Sequence, residues 1–162
     1  MRSYLQCLLA MLVAAWVAPA AAALSVFATV PEWAALTEEL GGDKVKVYTA
    51  TNPLQDPHHV EAKPSLIGRA RGADLVVATG AELEVGWLPL VTQQAGNPKV
   101  QAGKPGYFEA APFVPILNKP ARLDRSEGDV HAAGDPHIQT DPRNIARVAG
   151  PLSVLLAELD PE

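Results

Sequence analysis

Cysteine is almost absent from this sequence. Cys7 is the only one in 162 residues, and it precedes an apolar run, residues 8–17, that ends in Pro19 and a string of alanines. One early basic residue, Arg2, then a short apolar run and small residues have the layout of a secretory leader, residues 1–23, cleaved after Ala22 or Ala23. The run is too short for a membrane span. A lipid-bearing cysteine would stand at its end, not before it. The exported chain is therefore expected to be periplasmic and to contain no cysteine. That excludes disulfides and thiolate metal sites, and leaves any metal to His, Asp or Glu.

Basic charge is also short. Of 13 Lys and Arg residues, Arg2 lies in the leader, and the remaining 12 face 18 acidic residues, a net charge of −6 with histidine neutral. There is no basic stripe to neutralise phosphates, so nucleic acid is not an expected partner. The chain lacks a G-x-S-x-G elbow, a P-loop, a G-x-G-x-x-G turn and an H-E-x-x-H helix, which removes the commonest hydrolase and nucleotide-binding signatures. It also lacks internal repeats.

What remains reads as an α/β domain large enough to bury a core. LSVFATV (24–30), KVKVYTA (44–50) and DLVVATG (74–80) read as strands, with KVQA (99–102) as a fourth. Between them PEWAALTEELGG, PSLIGRARGA and AELEVGWLPLVTQQAG read as helices, the last kinked or divided by Pro89. This alternation predicts a parallel four-stranded sheet flanked by helices. Residues 103–142 are rich in Pro and Gly and long for a plain connection, a length that is usually functional. PRNIARVAGPLSVLLAELDPE closes the chain as a helix with Ile145, Val148, Leu152, Leu155 and Leu156 on one face, interrupted at Gly150-Pro151. The chain stops directly after it, the pattern of a sequence cut short.

Only four histidines are present, His58, His59, His131 and His137. Two share one context, DPHHVEAKP and DPHIQTDP. Open α/β sheets bind ligands beyond the carboxyl ends of their strands; His58 follows the second strand, and His137 precedes the last helix. A ligating imidazole needs its second N–H fixed by a carboxylate or carbonyl, and Asp56, Glu61, Asp135 and Asp141 are near enough in sequence to serve. Pro57 and Pro136 stiffen each approach. His58 and His137 are thus the metal candidates. His59 and His131 are weaker, since adjacent side chains in extended backbone point opposite ways and His131 has no Asp-Pro before it. A solvated polar loop is the bland reading of each.

At these residues the sequence resembles the solute-binding proteins of bacterial ABC importers for zinc and manganese. DPHHVEAKPS, ADLVVATGAELE and DPHIQTDPRN match three ordered blocks of that family. The resemblance implies an N-terminal metal-binding lobe over residues 24–142 and the start of an interlobe linker helix over 143–162, the C-terminal lobe having no counterpart. It implies a receptor without covalent chemistry, capturing Zn2+ (alternatively Mn2+) for an ABC permease in the inner membrane. The first two ligands fall on His58 and His137, and the third and fourth belong to the missing lobe. Gln139 stands where an aromatic is frequent, and a long His-rich loop is lacking, with His131 in its place. The linker helix is then expected to leave an apolar stripe unpaired. Two other classes fit the residues alone: an exported metal-dependent hydrolase and an adhesive or structural module.

Overall fold

The computed structural model describes residues 22–123 and 128–160; the expected leader lies almost wholly on residues 1–21, outside them. Four strands, β1 (Leu24–Ala28), β2 (Val45–Thr49), β3 (Leu75–Ala78) and β4 (Tyr107–Glu109), form one sheet in the order β2-β1-β3-β4. Every pairing is parallel, with Val26 opposite Val47 and Leu75, and Val77 opposite Phe108. The helices are α1 (Pro31–Gly41), α2 (Pro64–Arg71), α3 (Leu88–Ala95) and α4 (Pro142–Leu159). The α/β class and the parallel four-stranded sheet are as the sequence predicts.

Alternation along the strands sorts the core into two layers. Val26, Ala28, Leu75 and Val77 face Trp33 of α1 and Val148, Leu152 and Leu156 of α4. Phe27, Val76 and Ala78 face Leu66 and Ala70 of α2 and Leu88 and Val91 of α3. All four residues of β3 are buried, because both of its faces are covered.

Four expectations change. KVQA is not a strand: Asn97 accepts from the Lys99 N–H, Pro98 opens a 3-10 turn over Pro98–Val100, and Val100 is buried there as a single plug. The sheet edge resumes only after Gly106, where a Cβ would lie 2.5 Å from the Asp74 carbonyl oxygen. The third predicted helix starts late, at Leu88, with residues 81–87 forming turns instead; Pro89 then sits in a first helical turn, where its missing N–H costs nothing. Gly150-Pro151 does not interrupt α4, since Val148, Leu152 and Leu156 hold both halves of the helix against the sheet. For the same reason the apolar stripe of α4 is not unpaired; it is core.

Residues 80–82 all have positive φ, at 77, 49 and 71° for Gly80, Ala81 and Glu82, an uncommon conformation for the two non-glycine residues. The turn is held from inside by Glu84, whose side chain is buried. Its carboxylate accepts from Thr29 Oγ1 at 2.6 Å, from the Thr79 N–H at 2.8 Å and from the Gly80 N–H at 3.1 Å. Burial pushes this carboxyl up, and the three donors oppose that shift.

Leu152→Ala is expected to cost about 2–5 kcal/mol, read as a lower urea midpoint at unchanged slope; an exposed stripe would give almost none. Glu84→Gln presents an N–H to a donor in place of an acceptor and is expected to cost about 1–3 kcal/mol by the same measurement.

Candidate metal centre

The carboxyl edge of the sheet carries the loops that hold the histidines. His58 lies in the loop after β2, and His137 ends the long connection before α4. In each Asp-Pro-His one aspartate oxygen fixes the histidine two residues later twice over. Asp56 Oδ1 accepts from the His58 N–H at 2.9 Å and lies 2.9 Å from the His58 Nδ1. Asp135 Oδ1 does the same for His137, at 3.0 and 2.8 Å. The repeated sequence is therefore a repeated device: proline fixes the backbone between clamp and ring, and a carboxylate, which can only accept, demands that Nδ1 carry the proton. Nε2 of each ring is left with its lone pair available.

Both clamping carboxyls are held below the usual carboxylate value, first by the backbone N–H of the following histidine and then by its ring. The other two expected partners do different work. Glu61 pairs with Lys63 at 3.7 Å. Asp141 caps α4, accepting from the Arg143 N–H at 2.9 Å and from its guanidinium at 2.7 Å.

The His58 loop rests on the turn that Glu84 holds. Trp87 Nε1 donates to the Pro57 carbonyl at 2.8 Å. At Gly86 a Cβ would come within 3.3 Å of the His58 carbonyl oxygen, so a larger residue there would press on the loop. These contacts reach across the sheet edge and had no signature in the sequence.

His58 and His137 do come together, with ring centroids 5.1 Å apart, edge to face. His59 does not join them: its ring is 6.3 Å from that of His58, its Nδ1 lies 3.1 Å from Asp56 Oδ2, and its side chain is 70% exposed. His131 is the surprise. It stacks on His58 at 5.1 Å, with the two Nε2 atoms 3.0 Å apart, and its side chain is only 10% exposed. Burial and the His58 ring push its imidazole below the ordinary value, against the pull of Glu82 and Asp129. Glu82 Oε2 lies 3.9 Å from the His131 Nδ1 and accepts from the Ala132 N–H at 2.7 Å.

An open hollow of about 500 Å³, lined in part by His58, Glu82, Gly86 and His131, adjoins these rings. Among the described residues no group of three or more His, Cys, Asp or Glu side chains is placed to hold a metal ion as it stands. Gln139, just beyond His137, is buried with no partner for its Oε1.

A family model described as zinc-uptake complex component A, periplasmic (ZnuA), matches residues 26–162. Among curated relatives, a metal ABC transporter substrate-binding lipoprotein, ScbA of Streptococcus cristatus, is 28% identical over 109 residues, 67% of this chain and 35% of that protein. A manganese ABC transporter substrate-binding lipoprotein, PsaA of Streptococcus anginosus, is 29% identical over the same shares. A crystal structure of ZnuA superposes with a TM-score of 0.68 at 28% identity, covering 86% of this chain and 48% of that one. A zinc-bound deletion mutant of ZnuA matches equally well, at 29% identity. The chain spans about a third of the length of those curated relatives and about half of those solved chains. The relatives are named for substrate binding in metal transport, not for catalysis. With its Asp-Pro-His pair at the carboxyl edge of a parallel sheet, this chain belongs to the zinc-uptake component A family of metal solute-binding proteins.

Proposed function

We propose that the protein captures zinc outside the cytoplasm, in the periplasm after removal of residues 1–23, and presents it to the permease of an ABC importer. The observation that carries the reading is the doubled clamp, Asp56 on His58 and Asp135 on His137, which holds two neighbouring rings with Nδ1 turned to a carboxylate. Carboxylates sit behind rings in this way at metal centres, where they fix orientation and raise ligand basicity.

The donors favour zinc over manganese in this reading. Imidazole suits zinc, whereas manganese prefers carboxylate, carbonyl and water oxygen, and the aspartates here turn their oxygens towards ring nitrogens. The named relatives include both zinc and manganese proteins. In this reading residues 24–142 form the metal-binding lobe and 143–162 begin a helix leading to further ligands. The ion is cargo: it is bound, carried and released without covalent change.

Zinc affinity measured by competition with a chromophoric chelator should fall by roughly 100-fold or more in His58→Ala and in His137→Ala, and by about 10–100-fold in Asp56→Ala and Asp135→Ala. His59→Ala should stay close to wild type. Trp87→Phe, which frees one side of the His58 loop, should cost about 3–10-fold. Unchanged zinc affinity in both His58→Ala and His137→Ala would overturn the reading.

A further inference from the structure

His58 touches two other imidazoles, not one. His137 meets it edge on, and His131 stacks on it with Nε2 facing Nε2 at 3.0 Å. Because Asp56 Oδ1 fixes the proton of His58 on Nδ1, its Nε2 offers only a lone pair. In the ion-free pair the contact therefore needs a proton from His131 Nε2. The other nitrogen of His131 faces Glu82 at 3.9 Å. Each of the three rings thus has a carboxylate on its Nδ1 side: Asp56, Glu82 and Asp135.

We propose that His131 is a third zinc ligand, so that Nε2 of His58, His131 and His137 together hold the ion within this chain, with a fourth position open. The proposal rests on the zinc-capture reading above and adds a ligand to it. On entry of the ion, the Nε2 proton of His131 is lost and Nδ1 takes one up, facing Glu82. The ring stays neutral, no net proton is released by it, and the freed Nε2 lone pair forms the bond. Zinc–nitrogen bonds of about 2.0–2.1 Å in a tetrahedron set ligand nitrogens about 3.3 Å apart, so the observed pair opens by only a few tenths of an ångström. The His137 side chain is 45% exposed, and its ring turns to bring Nε2 into line with the other two. A three-imidazole set favours zinc, cobalt and nickel over manganese and calcium, and that preference is built before any other part of the protein contributes a donor.

The test loads the protein, carrying 15N-labelled histidine, with 113Cd2+ as a spin-active stand-in for zinc. Scalar coupling from cadmium to Nε2 of His58, His131 and His137 is expected, and none to His59. In parallel, chelator competition with zinc is expected to show His131→Ala weakened roughly 10–100-fold and Glu82→Gln weakened less. The absence of cadmium coupling to His131, beside coupling to His58 and His137, overturns the third ligand and leaves the capture reading standing. Absence of coupling to all three overturns both. The wild-type coupling decides the matter even if His131→Ala fails to fold.

Discussion

One buried carboxylate governs the functional edge of this molecule. Glu84 sits below the turn after β3, and its oxygens take hydrogen bonds from the end of β1, through Thr29, and from Thr79 and Gly80 at the end of β3. Burying a polar group is unfavourable unless it is hydrogen-bonded, so the turn has strong reason to keep this one geometry, positive φ values included. Around it, Trp33 Nε1 donates to Thr79 Oγ1 and Thr51 Oγ1 donates to the Thr29 carbonyl. The start of the loop after β2 is thereby tied to the same knot. Trp87 and Gly86, at the end of the turn, then bear on Pro57 and His58. The position of the first histidine is set from beneath by a group some way from it in sequence.

From above, the same ring is set locally. Asp-Pro-His is a three-residue machine in which a rigid proline lets one carboxylate oxygen hold both the backbone N–H and the ring of the next residue. A neutral imidazole has two tautomers and a free χ2, and each clamp removes one tautomer and most of that freedom. The ordering needs no ion, and in the proposed reading such ordering in advance would improve affinity without adding contacts. Using the device twice, on segments nearly eighty residues apart, makes two independent pieces of chain present the same nitrogen with the same polarity.

Much of this was legible in the residues and some was not, for a consistent reason. Strands β1 to β3 and helices α1, α2 and α4 follow from local period and punctuation. The doubled Asp-Pro-His named His58 and His137 because its signal is local too. The misses are non-local. Val100 was read as part of a strand, but the Asn97 side chain, which donates to the carbonyls of Ala70 and Ala73, folds that stretch into a corner. Pro151 was read as a break, but packing on both sides of it keeps α4 whole. Glu84 falls within a segment that reads as a helix by period, and its partner Thr29 lies 55 positions away. His131 has no clamp beside it in sequence, and its contact with His58 spans 73 positions. Its one sequence clue was that it shares a short segment with His137.

The charge arrangement explains why such a cluster can exist at the surface of a lobe and still suit a cation. With His131 and His137 each 5.1 Å from His58, the three imidazoles would repel one another if all were protonated, and partial burial would weaken hydration of that charge. Neutral rings avoid the repulsion, and without an ion a proton on His131 Nε2 bridges that ring to the lone pair of His58 Nε2. In the proposed reading a divalent cation would take the place of that proton, and the carboxylates of Asp56, Glu82 and Asp135, one on the Nδ1 side of each ring, would balance its charge from outside the coordination sphere. None of those carboxylates needs to leave its ring to do so. The negative groups attract the ion and orient the ligands, while the bonds themselves are left to nitrogen. In the proposed reading that division would separate a preference for zinc from the more general attraction that any acidic surface has for any cation.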